Sequence, residues 1–180
     1  MSTVSLTIAA PLKHSRLTTF FRYILAIPLL VVNYFYAIVA YVAVVFAWFA
    51  IVITGRYPAS LYGVAAGYLR YSTRAVAYLM LAVDTYPPFS GDEAPDYPVR
   101  VHIPERKARY SRLKTLFRVI YIIPAYVMVL VLGILLYVAV VISWFAILIT
   151  ARDPFTNYKQ YALGWVLKFA ALYLLVSEDY

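Results

Sequence analysis

The sequence predicts an all-α integral membrane protein with two tandem parallel repeats and four transmembrane helices. Three observations predict it: an apolar composition, an internal repeat and two long uncharged runs. Of 180 residues, 64% are hydrophobic and 13% are charged. Soluble domains are about 45–50% apolar and about 25% charged. Much of this surface must therefore face lipid.

The charges are unbalanced, with 16 Lys and Arg against 8 Asp and Glu. In a soluble protein this excess would suggest nucleic acid as a partner. Here the basic residues flank apolar runs, so we expect anionic lipids as partners and no nucleic acid. Each basic residue near the membrane surface contributes roughly 1 kcal/mol. The N-terminus lacks the pattern of a signal peptide, so the chain is expected to insert whole.

An internal repeat organises the chain. Several motifs return 96 residues later with proline, tryptophan and arginine in register. The clearest pairs are Ser15-Arg16-Leu17 with Ser111-Arg112-Leu113, and Trp48-Phe49-Ala50-Ile51 with Trp144-Phe145-Ala146-Ile147. We predict a first repeat over residues 1–89, a linker rich in proline and acid over 90–98, and a second repeat over 99–180.

Each repeat opens with an alternating apolar pattern that predicts a short strand. The apolar positions are Val4, Leu6 and Ile8 in the first copy, and Val99, Val101 and Ile103 in the second. We expect the two strands to pair antiparallel on the cytoplasmic side. The axis relating the repeats would then run along the membrane normal.

A basic amphipathic lead-in helix comes next, over residues 16–27 and 112–123, each followed by a proline. The interfacial basic residues are Arg16, Arg22, Arg112 and Arg118. Behind Arg22 and Arg118 lie uncharged runs of 33 residues, at 23–55 and 119–151. A crossing needs about 20 apolar residues, so residues 29–54 and 125–150 are predicted to span.

The second helix of each repeat is predicted over residues 60–83 and 156–176. Basic segments before both repeats should stay cytoplasmic. An even number of crossings must then separate them, which favours four helices with both termini inside. Arg70 and Arg74 lie near the middle of one such helix. Inserting each arginine at that depth into lipid costs roughly 2.5–3.5 kcal/mol. In the alternative, these helices lie flat on the inner leaflet and the long runs are re-entrant hairpins.

Three motifs carry a family resemblance. They are Trp48…Thr54-Gly55-Arg56-Tyr57-Pro58, Arg70-Tyr71-Ser72-Thr73-Arg74, and Asp84-Thr85-Tyr86-Pro87-Pro88-Phe89. Together they resemble the bacterial membrane proteins grouped as domain of unknown function 4389, in a tandem-repeat form. The second copy departs from the pattern at Ala151-Arg152-Asp153-Pro154. The resemblance implies a multi-pass protein of the bacterial inner membrane and implies no activity.

No motif of a hydrolase, metalloprotease or nucleotide-binding enzyme is present. We therefore predict no enzyme activity, no cofactor and no metal. His14 and His102 are predicted to be solvated surface residues. Asp84 and Asp179 end corresponding helices and are expected to cap them or to pair with basic loops.

These observations favour a non-catalytic accessory or scaffold subunit that packs on a larger membrane complex, binds anionic lipid, or does both. One alternative is a small oligomeric anion channel or carrier whose path is lined by Arg70, Arg74 and Lys168. Another is a bilayer-shaping protein. Arg56 and Arg152 are predicted to anchor the helix ends at lipid headgroups.

Overall fold

A computed structural model describes residues 4–177, without the side chains of residues 119 and 121. The structure is mostly helical and has one small sheet. The elements in chain order are β1 (Ser5–Ile8), α1 (Arg16–Thr54), α2 (Ala59–Leu79), β2 (Val99–His102), α3 (Arg112–Leu116), α4 (Arg118–Thr150) and α5 (Thr156–Tyr173). Within this part of the chain, two helices are long and apolar enough to span a membrane, α1 and residues Ile122–Thr150 of α4.

The first long helix begins and ends at clear sequence signals. The Ser15 side chain accepts a hydrogen bond from the Thr18 backbone N–H, and α1 ends where Gly55 adopts φ 72°. This left-handed conformation favours glycine. In the second copy, the Ser111 side chain caps α3 in the same way.

The predicted lead-in helices are not separate where expected. Pro28 lies inside α1 and Pro124 lies inside α4, and both helices continue past them. Proline removes the hydrogen bond that its own nitrogen would donate, a loss that helices in apolar surroundings tolerate. The break between α3 and α4 occurs instead at Phe117, and the first copy has no break.

Each repeat folds into a helical hairpin. In the first hairpin, α2 returns along α1, and the Tyr71 hydroxyl donates to the Leu29 carbonyl at 3.0 Å. In the second, α5 returns along α4, and the Tyr158 hydroxyl donates to the Leu132 carbonyl at 2.9 Å. We call the loop that joins the two helices the tip of a hairpin, and the opposite end its base.

The two hairpins lie antiparallel, with the tip of each against the base of the other. At one junction, the Tyr110 N–H donates to the Gly55 carbonyl at 2.9 Å. At the other junction, the His14 N–H donates to the Ala151 carbonyl, also at 2.9 Å. The positions differ by 96 in each case, so the repeats are related by a pseudo-twofold axis between the hairpins.

The repeated tryptophans reinforce these two junctions. The Trp48 indole donates to the Thr115 carbonyl at 3.2 Å, and the Trp144 indole donates to the Thr19 carbonyl at 3.1 Å. Each bond joins one repeat to the other, which gives these tryptophans a structural role.

The sheet confirms the predicted strand pairing. Strands β1 and β2 are antiparallel, with Ser5 opposite His102 and Ile8 opposite Val99. The Gln160 side chain donates to the Ile8 carbonyl from α5, and the Tyr62 hydroxyl in α2 donates to the Pro104 carbonyl after β2. The sheet therefore lies over α2 and α5, and the long helices lie beneath them.

Burial differs sharply between these layers. Helix α2 is buried around most of its circumference, because α1 packs on one side and the sheet and linker on the other. Helix α1 buries only a narrow stripe. Its buried residues are Thr19, Arg22, Ala26, Leu29, Ala40, Ala43, Ala47 and Ile51. The rest of α1 between Arg22 and the tip is mainly exposed and apolar, as is the corresponding part of α4.

The linker packs on α2 through a close approach of two glycines. A Cβ atom at Gly91 would lie 2.7 Å from the Gly67 carbonyl oxygen and 2.6 Å from the Tyr36 hydroxyl. We expect Gly91→Ala to destabilise the protein by about 1–3 kcal/mol, because backbone cannot move aside easily. Gly63→Ala is the matched control, since nothing lies within 4 Å of that position. Thermal unfolding in detergent compares the two, and equal midpoints would contradict the close packing.

Candidate functional site

One buried arginine holds together the base of each hairpin, Arg22 in the first and Arg118 in the second. Arg22 is 0% exposed. Its Nη1 donates to the Tyr78 carbonyl at 2.7 Å and to the Val83 carbonyl at 2.6 Å, while its Nη2 bonds to the Asp84 carboxylate. The last carbonyls of a helix lack hydrogen-bond donors within the helix. Arg22 supplies such donors at the end of α2. Arg22 was predicted to be an interfacial basic residue and is instead buried.

Arg118 does the same work in the second hairpin. Its guanidinium donates to the Leu172 carbonyl, and to the Ser177 carbonyl at 3.1 Å. Only 3% of Arg118 is exposed. Arg118, like Arg22, was predicted to be interfacial and is instead buried, with its guanidinium on two carbonyls at and beyond the end of α5.

The Asp84 carboxylate links the base of the first hairpin to the residues just before α1. His14 Nδ1 lies 3.0 Å from the Asp84 carboxylate, and the Ser15 N–H donates to it at 2.7 Å. Burial opposes ionisation of Asp84, but His14, the Ser15 N–H and the Arg22 charge outweigh it and hold its pKa below the usual value. The predicted pairing of Asp84 with basic groups is confirmed. Asp179, predicted to do the same, lies outside the described residues.

The two histidines differ from each other. His102 is exposed, as predicted, whereas His14 is buried. The prediction of a solvated His14 is wrong because the residue sits between Asp84 and the tip of the second hairpin. Residues 4–177 contain no group of three metal-binding side chains.

Arg70 and Arg74 are held by the linker. Arg70 Nη2 lies 2.9 Å from the Glu93 carboxylate, and Arg74 Nη2 donates to the Asp92 carbonyl at 2.7 Å. Arg74 is only 1% exposed. The apolar runs contain no acid to neutralise these arginines, as expected, and the linker supplies one instead.

Lys168 is not brought together with these arginines. Its side chain is exposed, and Nζ lies 4.8 Å from the centre of the Trp165 ring. A cavity of about 370 Å³ between the linker and the sheet includes Arg74, Glu93 and Arg100.

A buried ion pair in the second hairpin has no counterpart in the sequence predictions. Lys159 is 0% exposed, and its Nζ lies 2.8 Å from the Asp153 carboxylate. The Ser143 hydroxyl donates to the same carboxylate at 2.6 Å. Burial raises the pKa of Asp153, but the bonds from Lys159 and Ser143 more than offset this and keep it below the usual value.

The repeat held a signal for this pair. The equivalent residues of the first copy are Ala47, Tyr57 and Gly63, none of them charged. Opposite charges thus appear at two positions of one copy only. Self-comparison for differences, in addition to identities, would have found the pair.

Exposed cations gather at the junctions between tips and bases. Arg56, Arg109 and Arg112 line a cavity of about 460 Å³ with Thr54, Gly55 and Tyr110. At the other junction, the Arg16 guanidinium donates to the Ile149 carbonyl at 2.8 Å, and Arg152 is exposed in the tip loop. These basic residues, unlike Arg22 and Arg118, remain accessible.

An apolar groove of about 350 Å³ lies beside the first of these clusters. It runs between α1 and the start of the second repeat. Its lining residues are Val44, Val45, Trp48, Thr115, Arg118, Ile122, Tyr173 and Leu175. The cationic cavity and the groove thus lie along one seam, where the C-terminal part of α1 meets the second repeat.

The family comparison matches both halves of this architecture. The family described as "Domain of unknown function (DUF4389)" matches residues 16–91 and 112–179. The chain belongs to the DUF4389 family. The matched segments of this DUF4389 protein start at Arg16 and Arg112, the first residues of α1 and α3, and they correspond to the two predicted repeats. No curated protein and no solved structure matches the chain significantly.

Proposed function

We propose that this DUF4389 protein is a non-catalytic membrane protein that lies in the plane of one leaflet and binds anionic lipid there. The observation that carries the proposal is the apolar slab, which we define as the exposed faces of α1 and α4. The slab lies opposite the sheet and linker, where the exposed side chains are polar and charged. A molecule with one apolar and one polar side is suited to a membrane surface.

The length of the slab favours lying flat over crossing. The apolar part of α1, between Arg22 and Arg56, extends about 50 Å at 1.5 Å per residue. The hydrocarbon core is only about 30 Å thick. A helix standing upright would leave much apolar surface in water, whereas a helix lying in the plane keeps it in lipid.

The position of the charged layer supports the same orientation. The linker and sheet, with Asp92, Glu93 and Arg100 exposed, lie beside the middle of the hairpins. If α1 and α4 stood upright, these charges would lie in the hydrocarbon core, where an Asp or Arg costs roughly 2.5–3.5 kcal/mol. In the flat orientation they face water.

Basic residues at both ends of the slab point to the cytoplasmic face of the bacterial inner membrane. Arg16 and Arg56 lie at opposite ends of α1, so upright helices would expose them on opposite sides of the bilayer. Positive residues prefer the cytoplasmic side, and the flat orientation keeps both there. In this orientation the chain does not cross the membrane, so both termini are cytoplasmic.

In this proposal the long helices lie flat in the membrane, so the four crossings and the anion path predicted from sequence are not retained. Helix α2 is enclosed by protein, and its Arg70 and Arg74 are bound by the linker. A slab inserted into one leaflet expands that leaflet, which would shape the bilayer. The same exposed apolar face also offers a surface on which a larger membrane complex can pack, with this protein as its accessory subunit. Tubulation of anionic liposomes tests the first role, and native co-purification the second.

Cysteine labelling tests the orientation, because the natural chain contains no cysteine. Single cysteines replace Lys13 at one end of α1 and Ser60 just beyond the other, both of which are exposed. We expect a membrane-impermeant maleimide to label both from the cytoplasmic side, and Val39→Cys in mid-helix to be protected. Labelling of Lys13→Cys and Ser60→Cys from opposite sides would overturn the proposal.

A further inference from the structure

The cationic cavity at the first junction is assembled from both repeats. Arg56 comes from the tip of the first hairpin, while Arg109 and Arg112 come from the base of the second. The bond from the Tyr110 N–H to the Gly55 carbonyl holds the two segments together. Within residues 4–177, no carboxylate lies within ion-pair distance of these three arginines.

The second junction repeats the arrangement with the repeats exchanged. Arg152 comes from the tip of the second hairpin, and Lys13 and Arg16 come from the base of the first. Each of these residues lies 96 positions from its counterpart. The tip loops also agree in detail, because the backbone N–H groups of Arg56 and Arg152 each lie 3.2 Å from the hydroxyl of the threonine two residues earlier.

Three like charges around one cavity repel one another unless an anion lies between them. Arginine binds phosphate through two parallel N–H donors, which makes it well suited to this ligand. The junctions also lie at the two ends of the apolar slab. In the flat orientation, the ends of the slab meet the headgroups of the surrounding lipids.

We infer that each junction binds one phosphate group, so that one chain holds two, about one α1 length apart. The inference rests on the proposed orientation for its lipid source, the phosphate of an anionic phospholipid. The apolar groove favours that source at the first junction. Trp48 in the groove lies six residues before Thr54 in the cavity, about 9 Å along the helix, so one phospholipid can reach both. A soluble phosphate ester offers similar phosphate oxygens but has no acyl chain to fill the groove.

The second junction differs from the first in having a lysine in place of one arginine and a carboxylate nearby. The Asp84 carboxylate contacts His14 and the Ser15 N–H beside Lys13 and Arg16. The carboxylate is already bonded to Arg22, so its charge is largely balanced within the base.

Native mass spectrometry of the detergent-purified chain with added phosphatidylglycerol counts the bound lipids. We expect two for the natural chain, one for Arg56→Gln/Arg109→Gln, one for Lys13→Gln/Arg152→Gln, and none for the combined variant. All four side chains are exposed, so the fold should be retained, and circular dichroism checks this. Each lost charge should weaken the affinity about fivefold.

Arg100→Gln is the matched control, because it removes one exposed positive charge away from both junctions. It should retain two lipids, like the natural chain. An equal loss in Arg100→Gln, or two lipids retained by the combined variant, would overturn the inference by showing that binding follows net charge alone or occurs elsewhere.

A second measurement separates the two sources of phosphate. Inorganic phosphate is titrated against the lipid-free protein, and calorimetry measures the binding. Saturable binding that Arg56→Gln/Arg109→Gln abolishes would retain the site but assign it to a soluble phosphate and overturn the lipid source. Failure of the proposed function appears separately, because cysteine labelling reports orientation whether or not lipid binds.

Discussion

Replacing Lys159 with methionine is expected to lower the free energy of unfolding by about 3–5 kcal/mol. The substitution leaves the Asp153 carboxylate buried without its cationic partner, although Ser143 and the Phe155 N–H still donate to it. An uncompensated buried charge costs far more than an exposed ion pair contributes. Unfolding in mixed detergent micelles measures the loss.

Lys168→Met is the matched control on the same helix. Lys168 is exposed, so its replacement should change stability by no more than about 0.5 kcal/mol. Adding Asp153→Asn to Lys159→Met removes the stranded charge and should recover part of the loss. If Lys159→Met and Lys168→Met unfold alike, Lys159 is not a buried partner of Asp153.

Replacing Arg22 with methionine is expected to have a similar or larger effect, about 3–5 kcal/mol. The change removes the donor to the Tyr78 and Val83 carbonyls and strips Asp84 of its arginine. Arg22→Lys should rescue only part of the loss, because an ammonium group cannot reproduce the planar fork that reaches all three acceptors. Arg16→Met, an exposed arginine at the same end of α1, provides the comparison.

The pH dependence of stability distinguishes this network from simple packing. The pKa of Asp84 is lower in the folded protein than its usual value, so its ionised form stabilises the fold above about pH 3.9. This contribution is lost as the pH falls through the lower, folded pKa. Arg22→Met should show a weaker loss of stability on acidification than the natural chain. An unchanged acid profile would show that Arg22 does not act through Asp84.

The fate of the charged residues shows where prediction from sequence failed. From sequence, Arg22 and Arg118 are predicted to be interfacial, and Arg74 is predicted to lie inside an apolar helix. Their partners were not recognised, because carbonyls at a helix end and in the linker leave no mark in sequence. Lys159 has no place in the sequence predictions, since its partner Asp153 lies in the tip loop, outside helix α5.

The sequence by itself determined the duplicated plan, the two long apolar helices and the antiparallel strand pair. These features follow from composition and from short periods that each segment carries alone. The tertiary structure alone decided that the hairpins lie tip to base, that α2 is enclosed, that three basic residues meet at each junction, and that Arg22 and Arg118 are buried. Such pairings depend on the direction in which packed helices approach one another, and many directions satisfy the same local pattern.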